Sequence, residues 1–194
     1  MKIEIFKPID FKKKKIDLSH LNKITDRNWI YAANGKSALY HCLKSLNITG
    51  SILIPVYICD SILAPIKELD LEVYYYDLDE TNLNAEIEDI EQKIIKYDIT
   101  CVLVAILYGN VIQYDIIEEI CNRNDVLMID DAAQSFGATL NKKHVGTFGN
   151  AGFFSFSPGK ATTAHMGAFF GLKIKLIILK EPSIYFFITF VIWI

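Results

Sequence analysis

Apolar runs and amphipathic stretches alternate along this chain, joined by short polar links. Asn28 to Ala33 (NWIYAA) is rich in aromatic and β-branched residues and predicts a short strand. The spacing of Leu39, Cys42, Leu43 and Leu46 is helical. Ser51 to Val56 (SILIPV) has the composition of a buried strand. Asp60 to Leu69 predicts a helix despite Pro65, and Leu71 to Asp77 (LEVYYYD) the next strand. Ala85 to Lys96 places Ile87, Ile90, Ile94 and Ile95 on one side of an amphipathic helix. Ile99 to Leu107 (ITCVLVAIL) is almost wholly apolar, as a central parallel strand should be. Tyr114 to Arg123 supplies a helix leading into the apolar run Val126 to Ile129, and Gly152 to Phe156 is a further apolar run. Strands alternating with helices over short links predict an α/β fold, a mostly parallel sheet with helices on both faces. Residues 1 to about 28 are weakly patterned and read as an entry segment.

Composition narrows the function classes. The chain has 194 residues, enough for a sizeable single core, and a formal net charge of −3. That balance argues against nucleic acid or an anionic membrane as a partner. Lys12 to Lys15 is the one basic cluster, and without interleaved aromatics it reads as a solvated face. Cys42, Cys59, Cys101 and Cys121 form no CxxC pair, and Lys2, Glu4 and Lys7 interrupt any apolar start. Both features fit free thiols in a reducing cytoplasm. No GxGxxG follows a strand and no histidine pair has metal-ligand spacing, so neither a dinucleotide fold nor a metal is expected. His165, just past Lys160, reads as a surface loop residue.

Candidate chemistry concentrates between Val126 and Lys160. The first run ends in Asp130 and Asp131, followed by Ala132, Ala133 and Gln134. The second ends in Ser157-Pro158-Gly159 and Lys160. Two strand ends would thus bring an acid and an amine to one crevice, where open α/β sheets bind ligands. Taken singly, Asp131 could cap a loop and Lys160 could be a solvated lysine after a Pro-Gly turn. A second feature is Asn34-Gly35-Lys36-Ser37, just before a helix. Glycine there lets free backbone N–H groups approach an anion, although an ordinary helix cap has the same letters.

The stretch resembles the DegT/StrS-type sugar aminotransferases, fold-type-I enzymes that use pyridoxal 5'-phosphate (PLP). The family pattern Glu-Asp-Ala-Ala-Gln, Gly-Ala, Val-Gly-Thr-Phe-Gly, Phe-Ser-Phe and Gly-Lys is matched in order. Here it reads Asp130-Asp131-Ala132-Ala133-Gln134, Gly137-Ala138, Val145-Gly146-Thr147-Phe148-Gly149, Phe154-Ser155-Phe156 and Gly159-Lys160. The resemblance implies that Lys160 holds the cofactor aldehyde and then moves the proton, and that Asp131 keeps the pyridine nitrogen protonated. It implies that Gln134 donates to the ring hydroxyl and Ser155 contacts the phosphate. Asn34-Gly35-Lys36-Ser37-Ala38-Leu39 is similar to the family's phosphate turn, which brings in Gly35, Lys36 and Ser37. Tyr57 is the candidate to stack on the ring, although the commoner stacking position holds Cys59. Asn110-Val111 departs mildly from the family's Tyr-Gly-Gln-Pro. The implied reaction moves an amino group from an amino acid, commonly glutamate, to a keto-sugar nucleotide for glycan precursors, in a homodimer. A related branch of PLP-dependent sugar dehydratases has His where Lys160 stands.

The resemblance covers about residues 28 to 168. Met166-Gly167-Ala168 lacks the family's acid and one glycine, and Phe169 to Ile194 looks unlike the family. The expected organisation is therefore a truncated PLP-binding large domain at 1–168 and an apolar tail at 169–194. Ser183 to Ile194 falls short of the ~20 residues of a membrane span. The tail is expected to be an out-of-frame product, and the chain could then be a catalytically inactive remnant.

Overall fold

The computed structural model describes residues 19–25, 27–109, 113–160, 162 and 167–173. Lys12–Lys15, Asn110–Val111, His165, Met166 and Ser183–Ile194 lie outside the described residues. The chain runs α1 (Ser19–Thr25), β1 (Asn28–Ala32), α2 (Gly35–Ser45), β2 (Ser51–Pro55), a 3₁₀ turn (Asp60–Ile62), α3 (Leu63–Glu68) and β3 (Glu72–Tyr76). It continues through α4 (Ile87–Lys96), β4 (Cys101–Ala105), α5 (Tyr114–Arg123), β5 (Leu127–Asp131), β6 (Thr139–Leu140), β7 (Lys143–His144), β8 (Ala151–Ser155) and β9 (Ala168–Leu172).

Seven strands form one sheet in the order β1-β9-β8-β5-β4-β2-β3, and β6 and β7 form a separate hairpin. Neighbours are parallel except around β9, which runs antiparallel to both β1 and β8. All five residues of β2, β4 and β8 are buried, which is why these segments read as unbroken apolar runs. Their alternate side chains feed two cores. Leu53, Val102, Val104, Met128 and Phe154 pack with Ile90 and Ile94 of α4 and Ile117 and Ile120 of α5. Ile52, Ile54, Leu103, Ile129 and Phe153 pack with Leu39 and Leu43 of α2 and Ile66 of α3. Helices therefore cover both faces, as the strand–helix alternation predicts. No helix among the described residues is long and apolar enough to cross a membrane.

The strand β9 differs from the expectation at the chain's far end. Phe169–Leu172, read as the start of a tail, are four residues of an interior strand. Gly167 opens it with φ +136°, and a side chain there would meet the Tyr31 ring at 3.2 Å. Buried Arg27 secures the same end of the sheet. Its guanidinium donates to the carbonyls of Gly171, Thr147, Phe148 and Gly149.

Candidate active site

The connections leaving β2 and β4 go to opposite faces, through α3 and α5 respectively. Because β2 and β4 are adjacent and parallel, a crevice opens beyond their carboxyl ends. The ends of β5 and β8 continue it, with Asp131 paired in register to Ala105 and Phe153.

Asp130 and Asp131 divide by strand alternation. Asp130 is wholly buried. Its Oδ1 accepts from the Tyr114 hydroxyl at 2.6 Å, and its Oδ2 from the amides of Gly146 (2.6 Å) and Phe148 (3.1 Å). Burial pushes its carboxyl up to about 7, against these donors and the Arg27 charge. This acid fastens the 145–149 loop and α5 to the end of β5. Asp131 is the acid of the crevice. It is buried, and its Oδ1 accepts the Ala133 amide at 2.9 Å. Burial pushes it up to about 6, opposed by that amide and by the positive charge of Lys160.

Lys160 is presented by a turn that its own letters specify. Its N–H donates to the Ser157 carbonyl at 3.2 Å, and Gly159 takes φ +87°. Proline then glycine at the two central positions of such a turn fixes the conformation. Lys160 is half-buried, and its charge also acts on Cys59. The Cys59 thiol is lowered chiefly by hydrogen bonding with Ser61, whose Oγ lies 3.1 Å away, and further by Lys160.

The remaining candidates fall into two groups. Gly35 lies against Ser155: a Cβ on Gly35 would be 3.3 Å from both Cβ and Oγ of Ser155. The Ser155 hydroxyl is 3.3 Å from that of Ser157, a second hydroxyl that the motif match did not single out. A Ser-x-Ser repeat at the strand end was the available signal. Asn34 caps α2 by accepting the Ser37 amide at 3.0 Å. Lys36 and Ser37, with Asn34 and Tyr40, line a groove of about 340 Å³ against Pro65 and Glu68; neither Asp131 nor Lys160 lines it. On the rim of the crevice, Gln134 Oε1 accepts the Tyr108 amide at 3.3 Å. Tyr57 is exposed, and its side chain lies near enough to Tyr108 to raise that residue's hydroxyl above the usual phenol range. Among the described residues no cluster of three or more His, Cys, Asp or Glu could hold a metal ion.

The sheet order, the crevice, and an acid and a lysine that act on each other beyond neighbouring strand ends are those of an α/β domain of the aminotransferase class. The chain belongs to the DegT/DnrJ/EryC1/StrS aminotransferase family, whose sequence model matches residues 19–170. The match begins before residue 28 and runs into β9. The GDP-perosamine synthase of Vibrio cholerae is 26% identical over 137 residues, covering 70% of this chain and 37% of that protein. The GDP-perosamine synthase of Escherichia coli O157:H7 is 29% identical over 152 residues, covering 75% and 42%. The structure of the E. coli GDP-4-keto-6-deoxy-D-mannose-3-dehydratase with bound hydrated PLP superposes with a TM-score of 0.72 at 24% identity, over 79% of this chain and 41% of that one. The matched part of the chain thus corresponds to about two fifths of the length of these relatives.

Proposed function

We propose that this chain carries the cofactor half of a PLP-dependent aminotransferase that transfers an amino group from an amino acid to a keto-sugar nucleotide. The observation that carries the reading is the buried Asp131 carboxylate under the charge of Lys160 at the ends of neighbouring strands.

The donor set fits PLP. A buried carboxylate suits a protonated ring nitrogen. The Gln134 amide oxygen is occupied by the Tyr108 N–H, which leaves its NH₂ to donate to a ring oxygen. Gly35, Ser155 and Ser157 bring backbone and hydroxyl groups together, as a phosphate requires. Lys36 and Ser37, on the first turn of α2, are kept as phosphate-side residues. Tyr57 is kept as an aromatic wall. Bound there, PLP supplies an electrophilic aldehyde and a ring that takes up the electron pair of the bond broken at the donor's α-carbon. Asp131 holds the proton on the ring nitrogen. Lys160 Nζ would hold the cofactor through its aldehyde and, as a free amine, would take up and deliver the proton of the donor's α-carbon.

Relatives of the chain include both synthases and dehydratases. The lysine at position 160 favours amination, because the resembling dehydratases place histidine there. The natural setting inferred from this reading is a cytoplasmic homodimer serving glycan precursor synthesis.

The test is spectroscopic and then catalytic. Purified protein mixed with PLP should gain the visible absorption of a lysine-bound cofactor, and Lys160→Ala should abolish it. A band that survives the substitution, or none in the parent, overturns the reading. A band without amine transfer from glutamate to a GDP-linked 4-keto sugar identifies the inactive remnant instead.

A further inference from the structure

Tyr108 takes a backbone conformation that burial does not explain. It follows β4 with φ +55°, a backbone region costly for a bulky side chain, and is followed by Gly109 at φ +75°. Its N–H donates to Gln134 Oε1 at 3.3 Å, and the side chain of Tyr57 lies near enough to act on its hydroxyl. Yet its side chain is 68% exposed and that of Tyr57 59%. Buried contacts therefore do not account for the strained turn. Its location does suggest a use. Tyr57 and Tyr108 follow β2 and β4, the two adjacent strands whose connections part to opposite faces. Both tyrosines therefore stand beyond the carboxyl ends of those strands, and the Gln134 bond ties the Tyr108 backbone to the loop after β5.

We propose that Tyr108, standing beside the Tyr57 wall of the cofactor site, forms an aromatic ledge that receives the pyranose ring of the sugar nucleotide at the mouth of the crevice. Phenol rings match the apolar C–H face of a pyranose, and their hydroxyl edges match its rim of hydroxyls. Fixing the ledge in advance lowers the ordering cost of binding. Tyr108 is on this account a positioning residue for the acceptor through its ring, while its backbone N–H, which orients Gln134, is kept in the variants below. The proposal rests on the sugar-nucleotide reading above.

The test compares the parent with Tyr108→Asn, because asparagine tolerates a positive φ and so keeps the turn while removing the ring. GDP-mannose serves as a stable GDP-linked hexose and GDP as the probe without a sugar, both with the PLP-loaded protein. The expected result is a tenfold or greater weakening for GDP-mannose, little change for GDP, and an unchanged PLP band. Tyr108→Phe, which removes only the hydroxyl, should fall between. Equal losses for both probes would assign the ledge to the base and overturn the proposal. Unchanged binding of GDP-mannose would overturn it too, as would a PLP-loaded parent that binds no GDP-mannose. A parent that shows no PLP band instead sinks the cofactor reading.

Discussion

At the scale of single residues, the site is governed by where charge is buried. Asp131 keeps its proton up to about pH 6 in the folded chain, whereas an unfolded aspartate releases it near ~4. Between those values the folded state binds more protons, so stability falls as pH rises through that window and levels above it. Asp131→Asn removes this term. In PLP-free protein the variant should exceed the parent by on the order of 2–3 kcal/mol above pH 6, with little difference near pH 4. Urea unfolding at two pH values checks it; an equal difference at both would mean that the Asp131 proton is not linked to folding. Asp130 titrates with the same sign, but it is present in both proteins and cancels in the comparison. The letters announced Asp131, Gln134 and Lys160 because they lie in a spaced motif. They gave no separate role to Asp130, whose partners Tyr114, Gly146 and Phe148 are distant in sequence. Tyr108 is legible as the end of a strand and the start of the family's Tyr-Gly pattern, but neither its strain nor its exposure is a property of composition.

At the scale of elements, close backbone approach fixes how the strand ends meet. β8 lies over the 145–149 loop with no room for a side chain at Gly152. A Cβ there would sit 2.1 Å from the Gly146 carbonyl oxygen and 2.8 Å from its carbon. Backbone atoms cannot swing aside as a flexible side chain can. Gly152→Ala is expected to destabilise by at least ~2 kcal/mol, read as a lowered urea midpoint. An unchanged midpoint would show that loop and strand are not locked together. The long apolar strands β2, β4 and β8 were legible because burial on both faces leaves no polar interruption. The β6–β7 hairpin was not, because two-residue strands carry no period. β9 was also missed. Its sequence AFFGL has no alternation, and its place between β1 and β8 comes from partners 120 or more positions away for β1, such as Ile30↔Phe170.

At the scale of the molecule, β9 joins β1 to the rest of the sheet. It pairs over five residues with each of β1 and β8. A chain ending at Lys173 should keep all seven strands and unfold cooperatively, whereas one ending at Met166 should lose the β1 edge and unfold broadly at lower denaturant. Circular dichroism during urea titration distinguishes them, and identical transitions would show that β9 is dispensable. The sequence alone determined the α/β class, the order of most elements and the candidate site residues. These depend on local periodicity and on motif spacing, both readable within a few tens of residues. Only the tertiary structure decided that an antiparallel strand joins β1 to the sheet, that Asp130 and Asp131 have different surroundings, and that two exposed tyrosines follow adjacent strands at the crevice. Such outcomes depend on burial and on contacts between distant segments, which exist only once the sheet has been assembled.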